Sequence, residues 1–178
     1  KGKKIGKMSL INQTFQNCYL GKSNTDTYFM NLINDDYEED LSRYKYFYVG
    51  YLIDNNRNNE ARDIVDKLNY LNSTLLISQG KNWIEKNQVE EFNKIFSCKN
   101  HAHIVSEFLF LVGNLYSGRE DYKRSNFYLN ISNFLNPKFK FNLSLMAENY
   151  FQKKNYKKTK EILKNFNKKD VFYHWFAI

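Results

Sequence analysis

The stretch GNLYSGREDYKRS, starting at Gly113, returns in outline as AENYFQKKNYKKT, starting at Ala147. Gly113, Tyr116, Tyr122 and Ser125 are matched by Ala147, Tyr150, Tyr156 and Thr159 at a constant offset of 34 residues. A fixed period of this length marks a supersecondary unit that cannot bury its apolar face alone and must stack on a neighbour. Within each copy the small and large residues recur three or four apart. Tyr122, Ser125, Leu129 and Ser132 fall on one helical face, and so do Tyr156, Thr159, Leu163 and Phe166. Short polar runs, SGRED and QKKN, break each copy into two helices.

The same spacing, followed along the chain, predicts helices near 7–20, 25–34, 40–54, 59–70, 74–86, 88–97, 103–117, 121–134, 139–153 and 156–168, with a last one starting near 171. One Pro and seven Gly leave few breakers. Leu41 to Ile53 is rich in Tyr and Phe, which suits strands by propensity. Its continuous apolar length suits a helix buried on two sides better. DDYEED at 35–40 precedes that helix, where carboxylates complement the positive end of its dipole. The expected fold class is all-α, with helices paired as antiparallel hairpins.

Composition sets the outer limits. Apolar residues at 42% and aromatics at 17% exclude a disordered chain. Lys outnumbers Arg 22 to 5, and Asn, Tyr, Phe and Ile are abundant. That bias resembles the codon use of an AT-rich, bacterial-like genome and lowers the weight of any single Lys or Asn. Cys18 and Cys98 stand 80 positions apart without a CxxC, so two partly buried free thiols and a reducing compartment are expected. No apolar run reaches the ~20 residues that span a bilayer. KGKKIGKMSL lacks the apolar core of a signal peptide and reads as the tail of a helix. Both ends look cut from a longer protein, and a cytoplasmic location is the default expectation.

From Gly113 the pattern runs through Tyr116, Tyr122, Ser125, Leu129 and Ser132 to Pro137. In this order of small, aromatic, small, large, small and Pro positions it resembles the tetratricopeptide repeat, a 34-residue helix–turn–helix. The resemblance is clear for 106–139 and 140–171, the second departing at Phe166 and Val171. Degenerate repeats would occupy 1–38, 39–72 (Gly50, Ile53, Ala61, Val65) and 73–100, and a further one would start at 172–178. The resemblance implies one array over 1–178, an α-solenoid of about five hairpins wound as a right-handed superhelix. It assigns packing roles to Gly50, Ala61, Gly113, Tyr116, Tyr122, Ser125, Ser132, Pro137, Ala147, Tyr150, Tyr156 and Thr159.

It also implies a protein-interaction scaffold, without catalysis, cofactor or metal, that holds a peptide or helix of a partner in a concave groove. Carried over unit by unit, the groove positions are Tyr44, Phe47, Tyr51, Phe110, Asn114, Phe141, Ser144, Glu148 and Phe151. The family's clamp for C-terminal carboxylates needs a Lys where Phe110 stands, so an aromatic groove for apolar or polyproline-like segments is expected instead. The alternative is that several of these rings only pack.

Charge is uneven. Residues 1–100 hold 14 Lys and Arg against 13 acids, a net of +1; residues 101–178 hold 13 against 6, a net of +7. The density peaks in KKNYKKTKEILKNFNKK, with Tyr156, Thr159, Ile162, Leu163 and Phe166 expected inward. A second reading follows, a basic helical-repeat protein that binds RNA or an acidic membrane surface through 153–169. A third is a regulatory repeat region of a larger enzyme. His101 and His103 point apart on a helix start and read as helix-flanking residues, and His174 is isolated. No GxSxG, HExxH, P-loop or dinucleotide glycine pattern occurs.

Overall fold

The computed structural model describes residues 2–34, 42–67 and 75–168. They form ten α-helices: α1 Gly2–Tyr19, α2 Thr25–Ile33, α3 Ser42–Asp54, α4 Asn58–Asp66, α5 Leu75–Glu85, α6 Glu90–Ile95, α7 His101–Ser117, α8 Tyr122–Leu135, α9 Phe141–Gln152 and α10 Tyr156–Leu163. The described residues contain no strand, so the fold class is all-α. DDYEED and the helix expected near 171 lie outside the described residues. The chain divides into two compact units, Lys1–His101 and Ala102–Ile178.

One local device recurs through both units. The turns after α1, α3, α5, α7 and α9 each contain one left-handed residue: Gly21, Asn56, Asn87, Glu120 and Lys154, with φ between 55° and 62°. At each turn the following N–H closes a six-residue loop: Lys22 to Asn17 O, Arg57 to Leu52 O, Gln88 to Trp83 O, Asp121 to Tyr116 O and Asn155 to Tyr150 O. This is the Schellman ending, which satisfies carbonyls orphaned at the helix terminus. In the last two turns the next residue also caps the following helix, Asp121 accepting from Arg124 N and Asn155 from Lys158 N, both at 3.2 Å. The five turns lie 35, 31, 33 and 34 residues apart. Glu120 and Lys154 take a conformation that costs an ordinary side chain about 1 kcal/mol relative to Gly. Glu120→Gly should therefore raise the denaturation free energy by about that amount, with helicity unchanged.

In Lys1–His101 the central element is α3. Tyr44, Tyr46, Phe47, Tyr48, Val49, Gly50, Leu52 and Ile53 are all buried, more of its surface than one amphipathic stripe would cover. Rings fill the space around it. Phe47 stacks on Phe96 at 3.8 Å, Phe15 meets Phe96 at 5.3 Å, and Tyr46 stacks on Phe92 at 4.8 Å. The close approach that lets Phe92 in belongs to Gly80 of α5, where a Cβ would sit 2.7 Å from Phe92 Cζ. Gly50 faces Phe92 and Phe96 at ordinary contact distance. Ala61 is buried. On the unit's edge Arg57 donates to both oxygens of Asp26 at 2.8 Å, and Tyr48 donates to Asp26 at 2.8 Å, which ties α2 to the α3–α4 turn.

Cys18, at the end of α1, and Cys98, just beyond α6, are joined as a disulfide with a Cα–Cα distance of 5.9 Å, both 2% exposed. The expectation of two free thiols is corrected. A sequence separation of 80 sets distance along the chain, not in space, and three successive hairpins bring the two ends together. The argument for a reducing compartment that rested on free thiols falls with it. No described helix is long and apolar enough to cross a membrane.

In Ala102–Ile178 the helices interlock on a seven-residue rhythm. Ser125 and Ser132, two turns apart on α8, are fully buried. On one side they meet α7. Ser106 and Ser132 exchange hydroxyl bonds to each other's carbonyls at 2.8 and 2.5 Å, and a Cβ at Gly113 would sit 2.9 Å from Leu129 and 3.3 Å from Ser125 O. On the other side they meet α9. Asn142 Oδ1 lies 2.9 Å from Ser132 Oγ, and Asn149 Nδ2 donates to Ser125 Oγ at 2.7 Å. Ser106 and Gly113, Ser125 and Ser132, and Asn142 and Asn149 thus form three pairs at one spacing, with α8 antiparallel to both neighbours. Tyr116 stacks on Tyr128 at 5.6 Å beside this column, and Ala147 is buried. Tyr122, Tyr150 and Thr159 are half-buried, and Pro137 is exposed at the end of α8.

Candidate functional site

The nine expected groove positions separate into buried and accessible groups. Tyr44, Phe47, Phe110 and Ser144 are buried, at 3%, 1%, 5% and 8% exposure. Tyr44 and Phe47 belong to the ring cluster around α3. Phe110 stands edge-on to Phe139 at 5.8 Å and Phe141 at 6.2 Å, and Ser144 donates to Phe141 O at 2.9 Å. These four side chains are taken up by internal contacts and turn little surface outward. Tyr51 is half-buried against Phe29 at 5.5 Å, and Phe141 is half-buried. Asn114, Glu148 and Phe151 are exposed.

Asn114 and Glu148 line one open cavity of about 470 Å³ with Ser117, Glu120, Tyr122 and Gln152. It lies where the last turns of α7, the α7–α8 turn and the second half of α9 meet. The turn geometry at Glu120 brings Tyr122 to its rim, and the helical step from Glu148 to Gln152 lines one wall. Asn149 forms the floor. Ser117 Oγ donates to its Oδ1 at 2.6 Å, and its Nδ2 donates to Ser125 Oγ at 2.7 Å and Asn126 Oδ1 at 2.8 Å. Ring-free amides on a fixed floor hold the wall in register, since a satisfied buried network resists rearrangement. The lining presents amides, a phenol and the carboxylates of Glu120 and Glu148, and it includes no Lys or Arg. Such a surface can hydrogen-bond an extended backbone and hold a cation.

Sequence reasoning placed Asn114 and Glu148 in the groove but missed Tyr122 and Gln152 as lining residues, and Asn149 as the floor. The available signal was the pair Asn142 and Asn149, polar residues seven apart on the apolar side of α9. His101 opens α7, and half-buried His103 is held below the ordinary imidazole pKa by burial and by nearby Lys138. Tyr156 is exposed rather than inward, at 53%, and its ring meets Phe151 edge-on at 5.6 Å. Phe166 is buried, and Thr159, Ile162 and Leu163 are half-buried. No protein-family model, curated protein or solved structure matches this chain.

Proposed function

We propose that the chain is a tetratricopeptide-like α-solenoid acting as an interaction scaffold, and that α7 and α9 hold an extended segment of a partner protein. The observation that carries this reading is that Asn114 and Glu148, 34 residues apart, enter the same open polar cavity. They occupy equivalent places on the first helices of consecutive hairpins. The recurrence of one Schellman turn at all five hairpins supports extending the repeat through the first unit as well.

The cavity's chemistry selects the partner. Asn114 and Gln152 each offer a donor and an acceptor, which suits a backbone lying across them. Glu148 and Glu120 favour a Lys or Arg on that backbone, within a region that carries 13 basic residues against 6 acids. An acidic segment would be drawn to the lysines after Gln152 and away from this cavity. A collection of synthetic octapeptides on a surface tests the reading with the full chain. Captured sequences should be enriched in Lys and Arg, and Glu148→Lys should weaken them about tenfold, roughly 1.4 kcal/mol, with helicity unchanged. Unchanged capture by Glu148→Lys, or enrichment in Asp and Glu, would remove the cavity as the binding site.

A further inference from the structure

The corner between α9 and α10 combines two features that the peptide cavity does not use. Phe151 is 55% exposed and Tyr156 53% exposed, and the rings touch edge to face at 5.6 Å with planes at 63°. They form a small apolar knob across the turn whose left-handed residue is Lys154. Around the knob, residues 153–164 carry six Lys and one acid, Glu161. Glu161 is engaged with Lys158 at 2.8 Å. Among the described residues no acidic side chain pairs with Lys153, Lys154, Lys157, Lys160 or Lys164. By helical spacing Tyr156, Lys160, Lys164 and Lys157 lie within about 100° of one another around α10 and its C-cap, with Lys158 on the far side and Glu161 between Lys157 and Lys158. The N-terminal end of α10, with its partial positive charge, adds to the field at the knob.

From this arrangement we infer that the α9–α10 corner docks on an anionic lipid surface, with Phe151 and Tyr156 entering the headgroup region and the lysines meeting lipid phosphates and carboxylates. Tyr156, a ring with a polar tip, favours that depth, Phe151 adds apolar area beside it, and juxtaposed lysines are drawn to acidic leaflets. Three features favour lipid over nucleic acid. The patch contains Lys and no Arg, so it lacks the planar fork that reads bases and phosphates. The rings form a single pair rather than a row. Set edge to face, they cannot offer two parallel platforms to successive bases. The inference is independent of the peptide cavity, which lies on other residues.

Co-sedimentation of the full chain with vesicles tests it. Binding is expected to vesicles with about 30% phosphatidylserine and not to pure phosphatidylcholine, and to fall steeply with added salt. Lys157→Glu, Lys160→Glu and Lys164→Glu should each weaken partition at least about fivefold. The double variant Phe151→Ser with Tyr156→Ser should weaken it about a hundredfold while helicity is unchanged, because both rings are exposed in the folded chain. In a Phe151→Trp variant the indole emission should shift to the blue on adding acidic vesicles. Three outcomes would overturn the inference: no sedimentation with acidic vesicles at low salt, an unmoved emission at position 151, or tighter binding to a single-stranded oligonucleotide than to vesicles.

Discussion

Replacing Cys18 and Cys98 by serine is expected to destabilise Lys1–His101 by about 4 kcal/mol, from the loop of about 80 residues that the disulfide closes in the unfolded chain. That is a large share of the ~5–15 kcal/mol that holds a domain folded. The melting temperature should fall by roughly 20 °C at the usual sensitivity of a domain this size. The position of the bond makes the loss specific. Phe15 and Phe96, a few residues from the two cysteines, meet at 5.3 Å, so the crosslink holds together the ends that frame the ring cluster around α3. Adding reductant to the native sequence should reproduce the serine variant, and reductant should then do nothing further to that variant. Two thiols counted in freshly unfolded, unreduced protein would sink the assignment outright.

The second large effect is expected at the floor of the cavity. Asn149→Leu should cost about 3 kcal/mol, whereas Asn142→Leu, seven residues earlier on the same face of α9, should cost about 1 kcal/mol or less. The difference follows from hydrogen-bond partners. Asn149 serves Ser117, Ser125 and Asn126, and its loss leaves the buried Ser125 and Asn126 groups unpaired, while Ser117 can turn to the open cavity. Asn142 meets only Ser132, which keeps its reciprocal bonds with Ser106, and the Asn142 amide nitrogen has no partner. Denaturant titration gives the two costs, and hydrogen exchange of amides in α7 to α9 locates them. Equal costs at the two positions would contradict the network. Glu120→Gly, in the turn above the same cavity, moves stability in the opposite direction, so the three substitutions together distinguish packing, polar satisfaction and backbone strain.

Much of the architecture could be read directly from the chain. The ten described helices coincide with predicted segments to within a few residues, apart from α1, which begins five residues earlier, and α10, which ends at Leu163 rather than 168, because helical spacing and turn chemistry act over a few residues. The candidate site was legible only in part. Asn114 and Glu148 could be placed by period alone, since a period of 34 carries position on a helix from one copy to the next. Whether a ring at such a position binds or packs could not be read, because Phe110 and Phe151 share the same helical logic. Their fates differ through neighbours far along the chain: Phe139 and Phe141 close over Phe110, while Phe151 meets only Tyr156 at an exposed corner.

The amino-acid sequence by itself determined the helices, the hairpin period and the concentration of lysine after Gln152, all properties of residues close to one another in the chain. Tertiary structure alone decided that Cys18 meets Cys98, that Gly80 rather than Gly50 admits Phe92, and that Asn149 becomes the floor of a cavity. Each of these is a contact between distant segments. Its energy depends on which side chains have already filled the space around it, and no local pattern of residue types records that.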